Sequence, residues 1–285
     1  MNTQFCSLLV GESTLAVHCG RILLKAGHEI RAVHSPDTLV REWAQAERVP
    51  YMGEFGDFAS FAYTQPFDYL FSIVNFQILP EALLQMPRRL AVNYHDGPLP
   101  KYAGSYATTW AILNQETTHA ITWHVMTAVV DAGDILKQVS FPIKQPGETT
   151  YTLRLRCHLA AIRSFTELIP ELDAGTFTRT KQDLSKRTFF YKSKRPTEDC
   201  VIPFEWPADR IDAFCRALDF GPQANPVGVP KIWIGSELYA VSRLEICDSR
   251  SGVLAGTVIQ IGDGFLRVAT GTADVVLRNG EPVRR

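Results

Sequence analysis

The amino-terminal half of the chain alternates short apolar runs with segments of helical periodicity, and this alternation limits the possible folds more than any other feature. Two runs, FCSLLV (5–10) and HEIRAVH (28–34), have the composition of buried strands. Between them lies the helix-periodic segment LAVHCGRILLKAG, with Gly27 as its predicted C-cap. A second helix is predicted over DTLVREWAQAERV, and FDYLFSIVNFQILPEALLQM predicts a buried strand, a turn and a helix that begins at Pro80 and Glu81. Successive strand–helix units of this kind predict an α/β fold with a mostly parallel sheet.

The first strand-to-helix turn is the place where such sheets bind nucleotides. Here it has the sequence GESTLAVHCG (11–20), which lacks the G-x-G-x-x-G pattern that brings the backbone close to a pyrophosphate. We therefore expect a Rossmann-like sheet without a nicotinamide or flavin cofactor.

The segment AVNYHDGPLPKYAG (91–104) carries the strongest chemical signal. A short apolar run ends in Asn93-Tyr94-His95, and a turn rich in Gly and Pro follows, as expected where a buried strand delivers side chains to its carboxyl end. Residues i and i+2 of a strand project to the same side. The amide of Asn93 and the imidazole of His95 are therefore predicted to share one wall of a cleft.

A carboxylate is predicted at the same rim. In ITWHVMTAVVDAGDIL (121–136), a β-branched and aromatic run precedes Asp131, which opens a turn that contains glycine. A carboxylate beside a histidine fixes its tautomer and raises its basicity. Each feature alone has an ordinary structural explanation, a satisfied turn for Asn-x-His and a cap for the aspartate, so the prediction of catalysis rests on their combination.

Together, NYHDGPLPKYAG and VVDAGDIL resemble the signature of the folate-dependent formyltransferases, the family that includes methionyl-tRNA formyltransferase and glycinamide ribonucleotide transformylase. The resemblance implies that Asn93, His95 and Asp131 form the catalytic triad, and the separation of His95 from Asp131 matches the family without a gap. It also implies transfer of the formyl group of 10-formyltetrahydrofolate to a primary amine. No metal is expected, because the His and Asp spacing offers no ligand cluster of the H-E-x-x-H kind.

The same resemblance implies a folate pocket between two loops. Loops at the carboxyl ends of parallel strands line the ligand crevice, although an ordinary packed loop is the alternative. In the family, the loop after the strand near Tyr69 holds the pterin ring by backbone hydrogen bonds and apolar contact. The implied cofactor contacts are Phe76, Gln77, Ile78 and Leu79 on this loop and Met126, Thr127, Ala128, Val129 and Val130 on the opposite wall.

His124 is a further candidate, for contact with the substrate or the folate. The purine-pathway members of the family also have a histidine seven residues before the aspartate. On a strand with so many apolar neighbours, a structural histidine is the alternative.

The second half of the chain predicts two further regions. TTYTLRLRCHLAAIRSFTELIPELDAG predicts a long amphipathic helix that ends at Gly175, and ATTWAILNQET predicts a shorter one with Ser105 as its N-cap. The following segment, 181–205, is rich in Lys and Arg; such a run usually forms a solvated linker, and guidance of a phosphate-bearing substrate is the alternative. Beyond it, a helix over WPADRIDAFCRALDF and five short strands predict a small open β-barrel, which resembles the C-terminal domain of methionyl-tRNA formyltransferases. We predict a catalytic domain over 1–180, a basic linker over 181–205 and a barrel domain over 206–285.

Composition argues against several other classes of protein. The net charge of −1 provides no global field for nucleic acid or a membrane surface, and no apolar run approaches the roughly 20 residues that a bilayer requires. The start, MNTQFCSLLVGEST, lacks the basic region and cleavage site of a signal peptide. Six cysteines occur without a C-x-x-C motif, which favours reduced thiols in a cytoplasmic protein over a disulfide frame or a zinc site.

The acceptor amine is less well defined by the sequence. A tRNA substrate requires a basic face. The tRNA-specific members carry a basic insertion after the second strand, where this chain has SPDTLVREWAQAERVP with balanced charges, and from Trp206 onward nine Lys and Arg are balanced by nine Asp and Glu. The chain resembles the formyltransferase domains that begin nonribosomal peptide assembly lines, notably in GESTLAVHCG and NYHDGPLPKYAG. This implies an aminoacyl group on a carrier protein as acceptor; the alternatives are an amino sugar on a nucleotide and methionyl-tRNA.

Two activities of other classes stay open. Water in place of the amine would make the same site a 10-formyltetrahydrofolate hydrolase. A non-catalytic folate-binding module is the second alternative. The complete triad argues against it, because a protein that only binds folate does not need the amide, the imidazole and the carboxylate together.

Overall fold

The computed structural model describes residues 4–144 and 146–282 of the chain; residues 1–3, 145 and 283–285, which include the outer ends of the two predicted domains, lie outside the described residues. The described strands are β1 (Cys6–Gly11), β2 (Glu29–His34), β3 (Tyr51–Met52), β4 (Tyr69–Ile73), β5 (Leu90–His95), β6 (Ala103–Gly104), β7 (Thr118–Val125), β8 (Ile135–Pro142), β9 (Phe189–Phe190), β10 (Lys231–Ile234), β11 (Glu237–Ile246), β12 (Val258–Gly262), β13 (Phe265–Val268) and β14 (Val275–Pro282). The described helices are α1 (Ser13–Lys25), α2 (Thr38–Ala46), α3 (Phe55–Thr64), α4 (Glu81–Leu84), α5 (Ala107–Leu113), α6 (Thr150–Ala174) and α7 (Ala208–Ala217).

The chain divides into two compact units, each assembled from separate stretches. The first unit contains the described residues of Met1–Gly104, Ala120–Phe141 and Leu155–Phe189. The second contains those of Ser105–His119, Pro142–Arg154 and Phe190–Arg285. The domain boundaries near residues 180 and 206 stay a prediction.

A seven-stranded sheet forms the centre of the first unit, in the order β3-β2-β1-β4-β5-β7-β8. β1 pairs in parallel with β2 and β4, and β4 pairs in parallel with β5, whereas β5 pairs with β7 in the antiparallel direction. All six residues of β1 are buried, which accounts for the continuous apolar run without polar alternation. The predicted α/β fold with a mostly parallel sheet is confirmed.

An antiparallel sheet dominates the second unit, in the order β10-β11-β14-β13-β12. Its core contains Ile211 and Phe214 of α7 together with Leu266 and Leu277 of the strands. The predicted barrel is observed as this C-terminal antiparallel half-barrel. No helix within the described ranges is both long and apolar enough to cross a bilayer.

The start of α5 differs from the sequence prediction. The N-cap is Tyr106, which adopts a left-handed conformation with φ 61° and provides no side-chain cap. Ser105 as N-cap was wrong, because its backbone N–H instead donates to the carbonyl oxygen of Phe190 at 2.8 Å and keeps this residue outside the helix. The sharp turn at Tyr106, which sequence pattern does not signal, moves the helix start by one position.

Candidate active site

Strand β5 delivers the first two predicted triad residues at its carboxyl-terminal half. β5 pairs with the antiparallel strand β7 in a register that sets Asn93 opposite His124 and His95 opposite Thr122. Cross-strand partners have Cβ atoms about 5 Å apart, so the register brings the amide of Asn93 into reach of the His124 ring. The Asn93 Nδ2 atom lies 3.1 Å from His124 Nε2.

The loop between β7 and β8 folds back on β7 and carries Asp131 to the same place. The N–H of Met126 donates to the carbonyl oxygen of Ala91 at 2.8 Å, and the N–H of Val125 donates to the carbonyl oxygen of Asp134 at 2.9 Å. Gly133 makes this return possible, because a Cβ there would lie 1.9 Å from the carbonyl oxygen of Val125. The loop therefore doubles back over the strand end instead of extending away from it.

Asp131 lies between the two histidines of the resulting cluster. Its Oδ1 lies 3.3 Å from His124 Nε2 and its Oδ2 lies 3.6 Å from His95 Nδ1, while Oδ2 also accepts the N–H of Gly104 at 2.8 Å. Burial raises the pKa of the Asp131 carboxyl, but the nearby His95 charge, the hydrogen bond and charge of His124 and the Gly104 N–H outweigh it and hold the pKa well below its usual value. Asp131 is therefore an ionised carboxylate at neutral pH, although its side chain is only 7% exposed.

His124 links the amide to the carboxylate. Its Nδ1 lies 3.0 Å from the carbonyl oxygen of Val125, which can only accept, so Nδ1 carries a proton. Its Nε2 lies between Asn93 and Asp131, and the residue is 2% exposed. The predicted contact of His124 with substrate or folate stays a prediction; within the protein, both of its ring nitrogens already have partners.

His95 has one nitrogen fixed and one directed at the carboxylate. Nε2 lies 2.8 Å from the carbonyl oxygen of Tyr102, so it carries a proton. The Nδ1–Asp131 distance of 3.6 Å exceeds that of an ordinary hydrogen bond. Nδ1 of His95 therefore faces the carboxylate without a close hydrogen bond to it.

Two residues of the predicted basic linker brace the Asp131 turn. Gln182 Nε2 donates to the carbonyl oxygens of Asp131 at 3.0 Å and Gly133 at 2.6 Å. Arg187 donates from Nη2 to the carbonyl oxygen of Val130 at 2.9 Å. Sequence reasoning missed both braces, since Gln182 is 51 residues from Asp131 and no spacing or motif joins them.

The two predicted folate loops meet at their bases and expose apolar side chains. Leu79 is buried in a hydrophobic cluster against which Met126 also packs. Farther out, Ile78 is 81% exposed, and Phe76 and Val129 are also more than half exposed. The remaining implied contacts are likewise on these loops: Gln77, Thr127, Ala128 and Val130 are exposed. Large apolar side chains left in water on neighbouring loops favour a binding surface for a ligand with an apolar face.

Several loops of this sheet contain residues with strained backbone. Ser13 follows β1 with φ 69°, Val74 follows β4 with φ 53°, Tyr102 follows β5 with φ 60° and Asp131 has φ 54°. A positive φ is costly for residues with a Cβ, and most of all for a β-branched valine. Such strain persists only where surrounding contacts impose it, and Tyr102 and Asp131 both belong to the cluster described above.

The turn after β1 is closed by a carboxylate. Asp37 accepts the N–H of Ser13 at 2.8 Å with Oδ2 and the N–H of Leu39 at 2.9 Å with Oδ1. It thereby caps the starts of α1 and α2 together, where a helix N-terminus would otherwise attract an anion. Among the residues that the structure describes, no group of three or more His, Cys, Asp or Glu side chains is arranged to hold a metal ion.

Comparison with known proteins identifies a family segment in this part of the chain. The model of the formyl transferase family matches residues 67–169, which include all three predicted triad positions. The methionyl-tRNA formyltransferase of Geobacillus sp. (strain WCH70) is 34% identical over 203 residues, which are 70% of this chain and 60% of that protein. This chain thus spans about 60% of the length of that curated relative.

Two solved structures share the fold over nearly their whole length. One is WlaRD, a sugar 3N-formyl transferase solved in the presence of dTDP and 5-N-formyl-THF, with a TM-score of 0.76, 17% identity, and coverage of 97% of this chain and 98% of that one. The other is the N-formyltransferase from Helicobacter canadensis in complex with folinic acid and dTDP-3-aminofucose, with a TM-score of 0.77, 17% identity, and coverage of 96% and 99%. Residues 67–169 thus match the formyl transferase family, and together with the curated relative they support a folate-dependent formyltransferase family for this chain.

Proposed function

We propose that the chain transfers the formyl group of 10-formyltetrahydrofolate to a primary amine. The observation that carries the proposal is the connected series Asn93, His124, Asp131 and His95, in which an amide, a carboxylate and two imidazoles lie within 3.6 Å of their neighbours. The family match supports the reaction class, and the apolar loops support a site for the pterin.

Each predicted triad residue has a distinct part in the proposed reaction. Attack of a neutral amine on the formyl carbon places negative charge on the formyl oxygen, and an N–H of Asn93 stabilises that charge. His95 adds positive charge and then releases a proton from Nδ1 to the departing nitrogen of the donor. Each of these two contributions typically lowers a barrier by about 3 kcal/mol.

Asp131 is proposed to act as an ionised carboxylate. Its carboxylate stabilises the protonated ring of His95 and, through a water molecule, assists removal of the proton from the attacking amine. The braces from Gln182 and Arg187 hold the backbone of this turn, so that the carboxylate keeps its position while protons move.

The folate is proposed to lie between the two apolar loops. Phe76, Gln77, Ile78 and Leu79 would contact one side of the pterin, and the segment 126–130 would contact the other. Exposed aliphatic and aromatic side chains suit the faces of a flat ring, and backbone N–H and C=O groups of the loops suit its edge.

An experiment on the triad tests the proposal. We expect Asn93→Ala and His95→Ala to fold normally and to lose formyl transfer by at least about 100-fold, because each removes a group that acts in the transition state. His28→Ala is the matched control: His28 is also buried, but it stacks on Phe5 before β2 and lies outside the cluster. Near-wild-type rates for both triad variants would remove the catalytic assignment.

We propose an aminoacyl group in nonribosomal peptide biosynthesis as the acceptor, as the motif resemblance implies. An amine on a nucleotide sugar and the amine of methionyl-tRNA have about equal support, because the similar proteins described above are named for those substrates. A transfer assay with one acceptor of each class distinguishes them. Formate release that is faster than formation of any formylated amine would instead favour the hydrolase, and folate binding without either product would favour the binding module.

A further inference from the structure

Strand β12 occupies one end of the antiparallel sheet in the second unit. It pairs with β13 on its inner side, with Gln260 opposite Arg267, Ile261 opposite Leu266 and Gly262 opposite Phe265. A bulge lies between Val258 and Gln260, so the regular part of the edge is Gln260–Gly262. Within the described part of the chain, the sheet has no strand beyond β12.

The opposite end of the same sheet is protected. β10 is the other terminal strand, and Val201 forms a parallel bridge to its residue Lys231. The N–H of Ile202 donates to the carbonyl oxygen of Lys231 at 2.9 Å. The edge at β10 is thus paired with the chain itself at Lys231, whereas the edge at β12 presents backbone groups to solvent.

The sequence around β12 lacks the features that usually protect a free edge. Residues 251–262 contain no Asp, Glu, Lys or Arg and no Pro, although natural edge strands are commonly protected by charges, especially Lys, or by Pro. Four aliphatic side chains in this stretch are exposed, with Leu254 at 83% and Ile261 at 76%, together with Val253 and Val258. We call residues 253–262 the β12 edge.

We propose that the β12 edge pairs with the β12 edge of a second copy of this chain, in an antiparallel, two-fold symmetric arrangement. In such a pairing the same segment lies on both sides of the axis, so a charge on one copy would lie near its own like charge on the other. The absence of charge over twelve consecutive residues removes that repulsion, and self-pairing buries the exposed aliphatic side chains on both copies. The unpaired N–H and C=O groups of β12 find partners in the same step.

The test is the oligomeric state of the intact protein and of two charge variants. Light scattering across a concentration series is expected to give the wild type a mass approaching twice 31.9 kDa. Ile261→Lys places a charge inside the self-pairing segment of each copy and is expected to give a monomer at every concentration. Leu159→Lys is the matched control, since Leu159 is also an exposed aliphatic residue but lies on α6, and it is expected to remain dimeric.

Hydrogen exchange provides a readout at the strand itself. Amides of β12 are expected to gain protection as the wild-type concentration rises, while those of β10 do not change. A wild type that is monomeric at every concentration overturns the proposal, and this includes the case in which the β12 edge binds a different protein. So does an Ile261→Lys variant that dimerises as well as the wild type, or a dimer that Leu159→Lys also abolishes. The outcome is independent of whether the chain transfers formyl groups.

Discussion

Asn93 carries two amide hydrogens, and its amide nitrogen lies beside His124. Nδ1 of His124 donates to the carbonyl oxygen of Val125, and Nε2 lies 3.1 Å from Asn93 Nδ2 and 3.3 Å from Asp131 Oδ1. An N–H of Asn93 is still able to serve the formyl oxygen, because the amide nitrogen carries two hydrogens. His124 thus contacts both the amide and the carboxylate within the protein, a role that requires no contact with substrate.

Asp131 combines two requirements in one residue. Its backbone has φ 54°, which Asp and Asn tolerate better than most residues, and its side chain must be anionic among two imidazoles. Asn therefore fits the backbone without supplying the charge, and Asp131→Asn isolates the electrostatic contribution.

We expect Asp131→Asn to lower the free energy of unfolding at neutral pH by on the order of 2 kcal/mol, because the buried histidines lose their anionic partner. The pKa of this carboxyl is lowered in the folded protein. Its contribution is therefore fully present above the ordinary aspartate value of about 4 and is lost as the pH falls through the folded-state pKa. Urea unfolding at a series of pH values should show the wild type and variant converging on the acid side; a difference that grows below about pH 4 would contradict this account.

At this scale, sequence predicted well where the motif is local. Asn93 and His95 are two positions apart on one strand, so the strand period was enough to predict that they lie on the same side of it, and both belong to the cluster around Asp131. The position of His124 between Asn93 and Asp131 was not predictable, because it follows from the cross-strand register of β5 and β7 and from a loop that reverses direction at Gly133.

The loop between β7 and β8 is the element on which the site depends most. It returns over its own strand through the close approach at Gly133, and it is braced from behind by Gln182. The carboxylate of Asp131 is consequently positioned by the backbone path of the loop together with its own contacts to the two histidines and the N–H of Gly104.

We expect Gly133→Ala to reduce formyl transfer by at least about tenfold and to destabilise the fold by about 1–3 kcal/mol. The reason is that the added methyl group clashes with backbone atoms of Val125, which cannot shift unless the whole turn moves. Gly56→Ala is the matched control, since no heavy atom lies within 4 Å of a Cβ there and Gly56 is within α3. The control should retain its rate and unfold at the same or slightly higher denaturant concentration. Equal rates in both variants would contradict the proposed importance of the loop path.

Sequence pattern recovered most elements and missed β3 and α3. The strands β1, β2, β4 and β10–β14 and the long helix α6 were predicted near their observed bounds and are confirmed. β3 has only two residues, and α3 begins with Phe-Gly-Asp-Phe, which carries little helical signal, so neither was predicted. The polar segment after residue 180 gave no sign that Gln182 and Arg187 contact the Asp131 turn, because only tertiary packing joins them.

For the whole molecule, charge distribution bears on the acceptor. The net charge is −1, and several cations of the basic segment are already engaged: Lys194 lies over the rings of Trp110 and Phe190, and Arg195 donates to the carbonyl oxygen of Pro226. A polynucleotide acceptor would need many free cations on one face.

We therefore expect weak binding of methionyl-tRNA and little dependence of transfer to a small amine on salt. The measurement is the KM for each acceptor over a series of salt concentrations. A protein that makes about 6–10 phosphate contacts loses roughly 10³-fold or more in affinity between low and physiological salt, so a steep salt dependence with tRNA would contradict the expectation.

The interleaved order of the two units constrains how this chain can be recombined. α5 belongs to the second unit, where Tyr106 and Leu113 pack against the cluster that contains Phe214, and Thr150 donates to the carbonyl oxygen of Ala217 at 2.7 Å. A chimera that exchanged only the residues after 205 for those of a relative would leave these stretches without the side chains that they pack against. A functional chimera must therefore exchange all three segments of the second unit together.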